Sequence, residues 1–227
     1  MTAKKILLDL LKKDSLSFKG KDNLFYFVSK TYSLPLEDVK KAYSILENDG
    51  QIFELDKKHI VTVPSKEYVR GTFMGNSKGF GFCHLPDPDK EDIFISASAC
   101  GGAIDGDKVI VKILSASEDD IDGKVMKIYS PIKVLSGVVV KIGKTFFVEP
   151  DNNHIPFKVK LIGGLKYEEN DRVVVQVAHG AVVTGRVIEV LGKSDDIKAC
   201  ELAIIRDHGL YEVFPDKVVG EAKKLSQ

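Results

Sequence analysis

The spacing of apolar residues changes near Pro64, and this change constrains the fold more than any other feature of the sequence. Before residue 64, apolar side chains recur three or four positions apart, which is typical of amphipathic helices. After it, short segments alternate apolar and polar residues between Gly, Asp and Asn turns, which predicts small barrels or sandwiches. We therefore predict an α+β, multidomain chain rather than a protein with one large core.

Residues 1–65 are predicted to form a small helical domain. Three apolar stripes indicate three helices, and their members are Ile6, Leu7, Leu10 and Leu11; Leu24, Phe27, Val28 and Tyr32; and Val39, Ala42, Tyr43 and Leu46. Asp49-Gly50 is a good helix stop, and residues 51–55 and 60–63 then form a hairpin. Three short helices with a hairpin predict a winged helix-turn-helix domain. Its lysine pairs could contact phosphates, or could equally serve to keep the surface soluble.

Two five-stranded barrels are predicted after a linker at 64–66. We assign them to residues 66–116 and 130–192, with the acidic segment Ser115–Gly123 beginning the connection between them. Each barrel opens with a glycine-led strand, at Gly71 and at Gly137, and each closes with an acidic turn before a valine-rich strand. A duplication of one barrel is therefore plausible, although the sequence repeat is degenerate. In the tail, Leu202, Ile204 and Ile205 form an apolar group, and Phe214 is expected to begin a final helix.

The charge balance and the cysteines indicate what kind of surface the protein has and in which compartment it is expected. Lys+Arg and Asp+Glu number 33 each, so an electropositive surface would have to be local. Cys83, Cys100 and Cys200 are far apart, which favours reduced thiols, and the histidines lack metal-ligand spacing, so we expect no metal site. No signal peptide is recognised, nor an apolar run of the roughly 18–20 residues that a membrane helix needs. A cytoplasmic monomer is expected.

The segment from Lys78 to His84 carries the most specific functional signal. If it forms one strand, Lys78, Phe80, Phe82 and His84 share a face, and two glycines and a cysteine share the other. On the next strand, Ile93 and Ile95 point one way and Phe94 points the other. These rings could belong to the core, as aromatics on strands usually do. A lysine on the ring face and small residues behind it favour exposure instead.

Three exposed phenyl rings beside a lysine would stack unpaired bases. Such stacking is worth about 1–3 kcal/mol per base and tolerates any sequence. We therefore predict a site for single-stranded nucleic acid, which the resemblance described below identifies as RNA. Its members are Lys78, Phe80, Phe82, His84 and Phe94 in the first barrel, and Lys141 and Lys144 in the second. No catalytic residue is predicted.

The ring motifs resemble the two ribonucleoprotein motifs of cold-shock domains, which bind single strands on outward aromatics. Lys78-Gly79-Phe80-Gly81-Phe82 is similar to the first motif, and Ile93-Phe94-Ile95 to the second. The sequence departs from the family in two places. The strand that begins at Gly71 lacks the usual tryptophan, and Ser96 stands where a histidine is common, so weaker binding by this barrel alone is expected.

The order of the domains resembles the N-terminal region of the ribonuclease R-type enzymes of the ribonuclease II family. The second barrel's residues 146–151, its exit strand 185–192 and the tail at Phe214-Pro215 are similar to that family. The resemblance implies a processive 3′-to-5′ exoribonuclease that holds Mg²⁺ on aspartates of a catalytic module. Residues 193–227 would be only the leading edge of that module. The resemblance thus implies a non-catalytic part that captures single-stranded RNA for a separate or missing catalytic domain.

Two other hypotheses remain open. The chain could itself cleave RNA, although its acids are scattered and Asp119-Asp120-Ile121-Asp122 has no nearby histidine. Alternatively, it could be a transcriptional regulator whose winged helix binds duplex DNA. The acids of the third helix argue against duplex binding.

Overall fold

The computed structural model forms two compact units, of which the first ends at Pro131 and the second begins at Ile132. Each unit contains one closed five-stranded barrel, so the predicted α+β fold with two small barrels is confirmed. The residues that the structure describes are 2–13, 20–116, 121–180, 182–208 and 210.

The first unit opens with three helices and a hairpin. These elements are α1 (Ala3–Lys12), α2 (Lys21–Tyr32), α3 (Leu36–Asn48), β1 (Ile52–Glu54) and β2 (Ile60–Thr62). The Thr2 hydroxyl accepts the Lys5 N–H and caps α1. At the hairpin turn, the Asp56 carboxylate accepts the N–H groups of Lys58 and His59. The order of elements is the predicted one, and the winged helix-turn-helix assignment stays a prediction.

The helices bury the expected stripes with one exception. All four predicted α3 residues are buried, and so are Ile6 and Leu7 of α1. On α2, however, Phe27 and Tyr32 are exposed, and Phe25 is buried instead. The ring of Phe25 packs edge-on against Tyr43, with centroids 5.0 Å apart, so this contact fixes which face of α2 turns inward.

The first barrel extends further than predicted. Its strands are β3 (Tyr68–Gly75), β4 (Gly81–His84), β5 (Ile93–Ile95), β6 (Lys108–Ala116) and β7 (Ile121–Ser130). The predicted boundary at residue 116 is wrong, because β7 pairs with β6 and then closes the barrel in parallel with β5. The segment Ser115–Gly123 is therefore no connection between barrels, as its ends belong to paired strands; residues 117–120 lie outside the described residues. The buried positions near the start of β7 are Gly123, which has no side chain, and Val125, so the apolar signal of the strand was weak.

The helical domain packs directly on the first barrel. Phe53, Val63, Tyr68 and Ile110 form a buried cluster, with Tyr129 against it. Hydrogen bonds flank this cluster, from Arg70 to the Asp49 carbonyl (2.7 Å) and from Lys127 to Glu47 (2.6 Å). Residues 64–66 are therefore not a linker between independent domains, because a shared apolar cluster fixes the two together.

The second barrel repeats the pairing of the first. Its strands are β8 (Val134–Ile142), β9 (Thr145–Pro150), β10 (Val159–Gly164), β11 (Asp171–Ala178) and β12 (Thr184–Lys193). In both barrels the third strand pairs in parallel with the fifth, and the other pairs are antiparallel. The two barrels therefore have the same strand topology, and their origin by duplication stays a prediction.

The acidic turn before the fourth strand is the most closely repeated detail. Gly106 and Asn170 both have positive φ, at 91° and 66°. The next residue is a buried aspartate whose carboxylate accepts a backbone N–H three residues earlier: Asp107 from Ile104 at 2.9 Å, and Asp171 from Glu168 at 2.7 Å. This turn satisfies backbone donors at the same point of each barrel.

A fourth helix, α4 (Ile197–Asp207), packs on the second barrel. Ala199 and Ala203 are its buried residues. Asp207 anchors its end, accepting the Ser136 N–H at 2.9 Å and the Ser136 hydroxyl at 2.6 Å. The first part of the tail is therefore folded on the second barrel. The predicted helix from Phe214 lies outside the described residues.

Candidate nucleic-acid interface

The motif from Lys78 to His84 is partly turn and partly strand. β4 begins at Gly81, so the prediction that the strand includes Lys78 is wrong. Lys78 lies in a turn where its N–H bonds the Asn76 side chain at 3.0 Å, and Gly79 has a φ of 91°. The asparagine and the left-handed glycine make a turn here, which sequence alternation alone does not reveal. The exposed Lys78 side chain thus stands at the end of the strand rather than on its face.

Small residues on the inner side of β4 direct the rings outward. A side chain at Gly81 would lie 2.4 Å from the Phe73 ring, which occupies the barrel interior. Cys83 is fully buried, and Ile93 and Ile95 are buried on β5, as predicted. Because successive residues alternate, Phe82 points to the outer face, where 38% of its surface is exposed.

Phe80, Phe82 and Phe94 form a triangle of rings on this outer face, which we call the ring platform. The ring centroids lie 5.9 Å (Phe80–Phe82), 5.6 Å (Phe80–Phe94) and 5.7 Å (Phe82–Phe94) apart. Two of the three contacts are edge-on. Phe80 and Phe94 are half-buried, because the rings cover one another. The three rings therefore pack against one another while part of the platform stays accessible.

The platform continues in a row across four strands. Met74, Phe82, Phe94 and Asp122 are successive partners on β3, β4, β5 and β7. Met74 is 44% exposed, and Asp122 is also exposed. Sequence reasoning missed both residues. The alternation of β3 could have placed Met74 outward, whereas Asp122 fell in a segment interpreted as a connection.

Polar pairs lie beside the row. His84 and Asp92 are joined at 2.9 Å between Nδ1 and Oδ1, on the edge of the platform. The Lys108 ammonium donates to the Thr72 hydroxyl at 2.6 Å, and Thr72 pairs with His84. The outer face thus offers rings, a cation, an imidazole and carboxylates within one sheet.

Burial behind the platform leaves the thiols unreactive. Burial, with a smaller contribution from Asp92, raises the pKa of the Cys83 thiol to about 12. Burial also raises the pKa of Cys100, whose thiol donates to the Ser96 carbonyl at 3.3 Å. Since the thiolate is the reactive form, these cysteines serve packing rather than chemistry.

The second barrel lacks an equivalent platform. Strand pairing places Phe147 where the first barrel has Phe82, and Val140 where it has Met74. Lys160 takes the place of Phe94, since it is the β10 partner of Phe147. One half-buried ring beside a lysine replaces the row of apolar side chains.

A different aromatic group lies at one end of the second barrel. Phe146 packs edge-on against Tyr167 at 5.5 Å, and the Lys141 ammonium lies 5.5 Å from the centre of the Phe146 ring. Lys144 is exposed in the adjacent turn. The structure therefore brings Lys141 and Lys144 together at this end, in a different unit from Lys78, Phe80, Phe82, His84 and Phe94.

The residues that the structure describes contain neither a metal-ligand cluster nor a membrane-spanning helix. Within residues 2–13, 20–116, 121–180, 182–208 and 210, no group of three His, Cys, Asp or Glu side chains could hold a metal ion. Among the same residues, no helix has the length and hydropathy to cross a membrane.

Family models match both barrels. The closed five-stranded barrels define the class, a protein with two oligonucleotide-binding-fold domains. The model of the ribonuclease B OB domain matches residues 71–128, and the model of the cold shock domain matches residues 147–215.

Comparison with known proteins gives a more specific relationship. The chain is 28% identical over 179 residues to ribonuclease R of Chlamydia pneumoniae, covering 71% of this chain and 26% of that protein. It is 23% identical over 251 residues to ribonuclease R 1 of Lactococcus lactis, covering 100% and 30%. The apo structure of Mycoplasma genitalium RNase R matches with a TM-score of 0.56 at 23% identity, covering 69% and 26%. The chain is thus similar to the N-terminal region of ribonuclease R, and it spans under a third of the length of these relatives.

Proposed function

We propose that this chain binds single-stranded RNA on the ring platform and acts as the RNA-capturing part of a ribonuclease R-type system. The observation that carries the proposal is the outward triangle of Phe80, Phe82 and Phe94. Every base has an aromatic face, so such rings bind unpaired nucleotides with little sequence preference. A solved structure of the Mycoplasma genitalium relative contains ribose-methylated single-stranded RNA, which supports this choice of ligand.

Polar side chains beside the rings would supply the remaining affinity. Lys78 stands at the end of β4, and His84 lies on the outer face of the same strand. In the second unit, we propose that Lys141 and Lys144 contact phosphates. For a single strand, each phosphate contact contributes about 0.7 to the slope of log K against log salt concentration. The loss of one contact should make that slope shallower by the same amount.

The central test removes the rings. Phe80→Ala, Phe82→Ala and Phe94→Ala combined should weaken binding of a labelled single-stranded RNA at least about tenfold, since each stacked base contributes about 1–3 kcal/mol. Fluorescence anisotropy at fixed salt measures the change, and circular dichroism checks the fold. The matched control is Phe147→Ala, which removes the ring at the corresponding position of the second barrel. Unchanged affinity of the triple variant would defeat the proposal.

Two further measurements separate this proposal from the alternatives. Labelled RNA incubated with the protein and Mg²⁺ should stay intact, whereas shortening from the 3′ end would show that the chain is itself a nuclease. Duplex DNA should compete poorly. Sequence-selective duplex binding that survives loss of the rings would instead support a winged-helix regulator.

A further inference from the structure

Asp122 lies at the edge of the ring platform and has no role in stacking. It is the β7 neighbour of Phe94 in the parallel pair that closes the first barrel. The next residue, Gly123, is buried, and a side chain there would clash with Val111 and Ile93. Alternation therefore turns Asp122 outward, to the same side as the rings.

The Asp122 carboxylate is held in place but remains able to accept. The Ser115 hydroxyl donates to its Oδ2 at 2.9 Å, across the β6–β7 pair. An ionised carboxylate has two oxygens with about four lone-pair sites, and it donates none. One hydroxyl therefore orients the group and leaves acceptor capacity for a ligand.

Resting on the proposed function, we infer that Asp122 reads the edge of a base stacked on Phe94 and selects guanine over uracil. Guanine presents adjacent N1–H and N2–H donors, which suit two carboxylate oxygens. Uracil presents a single N3–H between two carbonyl oxygens, and these repel a carboxylate. Adenine and cytosine each offer one amino group and fall between. Side-chain readout of this kind is worth about 1–3 kcal/mol per good bidentate pair on duplex DNA, and a comparable preference is expected here.

The second barrel supports a specialised role for Asp122. Its residue at the corresponding position is Thr184, the β12 partner of Lys160. Gly185 follows it as Gly123 follows Asp122, and a Cβ atom there would lie 3.1 Å from Val159 and 3.4 Å from Val175, a tight contact rather than a clash. The glycine that closes each barrel is the same, whereas the outward residue before it differs. Inward packing therefore favours a small residue at the second position of this pair, and it does not constrain the outward residue before it.

The experiment uses a nine-nucleotide oligouridine and versions carrying G, A, C or inosine at the centre. The wild-type chain should bind the G oligonucleotide about tenfold more tightly than oligouridine. Inosine, which lacks the 2-amino group, should lose most of this advantage. Asp122→Asn keeps the shape of the side chain but introduces a donor, so it should abolish the preference for guanine and improve binding of oligouridine.

A charge control makes the result specific. Asp89→Asn removes the same charge from an exposed loop, and it should shift all five affinities alike. Equal binding of all oligonucleotides by the wild-type chain would overturn the inference and leave the proposed function standing. Guanine preference retained in Asp122→Asn would also overturn it. Failure of every oligonucleotide to bind would instead defeat the proposed function.

Discussion

The ring of Tyr129 occupies the space where a side chain at Gly50 would stand. A Cβ atom built on Gly50 would lie 2.8 Å from two ring atoms of Tyr129, which is closer than real contacts allow. Gly50 lies just past the end of the third helix, and Tyr129 belongs to the last strand of the first barrel. The absence of a side chain at one helix end thus lets the helical domain and the barrel approach each other.

Gly50→Ala should destabilise the chain by about 1–3 kcal/mol, because the added methyl group overpacks this contact. The positive φ of Gly50, 63°, adds a backbone cost. Gly143→Ala is the matched control, since Gly143 has a φ of 62° and nothing within 4 Å of its Cβ position. Urea denaturation measures both variants. Equal losses would show that backbone strain, and not the Tyr129 contact, accounts for the effect.

Asp107→Ala should lower the free energy of unfolding by about 1–3 kcal/mol, because it leaves the Ile104 N–H buried without its acceptor. Asp107→Asn retains an acceptor oxygen and should cost less. Thermal unfolding followed by circular dichroism compares the two. An alanine variant as stable as the asparagine variant would show that the turn does not depend on this hydrogen bond.

The stability of the first barrel should fall at alkaline pH because of Cys83. Its folded pKa is raised to about 12, above the ordinary value of a thiol, so the folded state keeps a proton that the unfolded state releases. The contribution is complete below the unfolded pKa and decreases as pH rises between the two values. Unfolding measured at about pH 8 and about pH 10 should show this loss. Cys83→Ala should show a shallower loss, although its cavity lowers stability at both pH values; identical slopes would contradict the assignment.

Asp207→Ala should loosen α4. The substitution removes the acceptor of the Ser136 N–H and leaves the Ser136 hydroxyl to donate to Asp151 alone. Hydrogen exchange should therefore become faster in residues 197–207, with little change in the buried strands of the first barrel. Glu201→Ala, an exposed change on the same helix, is the control. Unchanged exchange in the Asp207 variant would show that the buried alanines and the Arg206–Glu189 ion pair hold the helix without it.

Asp171 should make the stability of the second barrel fall at acid pH, whereas Cys83 makes that of the first barrel fall at alkaline pH. Burial alone would raise its pKa, but hydrogen bonds from Lys193 and from the Glu168 N–H lower it on balance. Its stabilising contribution is therefore present above the unfolded pKa of a carboxyl group and is lost as pH falls through the folded one. Acid titration of unfolding should show less dependence on pH in Asp171→Asn than in the wild-type chain. Parallel curves would rule out this group as a source of acid lability.

The outward direction of the rings could be predicted from sequence, because glycines and a cysteine alternate with them. The positions of Ile93, Ile95 and Phe94 followed from the same rule. Lys78 was placed wrongly on the strand, since the turn depends on the side chain of Asn76 and on a left-handed glycine. The role of the predicted residues in RNA binding stays a prediction.

Long-range packing could not be predicted from sequence. The cluster of Phe53, Val63, Tyr68 and Ile110 joins residues that are distant along the chain, and periodicity assigns each to a face without naming its partner. α4 was missed because Ala199 and Ala203, its buried side chains, give only a weak apolar stripe. Asp122 was missed because the acidic segment that contains it was interpreted as a connection between the barrels.

The two barrels share a strand topology and differ in their outward side chains. The buried aspartates and the glycines at 123 and 185 recur, while the outward positions of the central strands have diverged. A ring platform could consequently be introduced into the second barrel by design. The substitutions Thr145→Phe and Lys160→Phe, beside the existing Phe147, would place three rings at the positions that carry them in the first barrel.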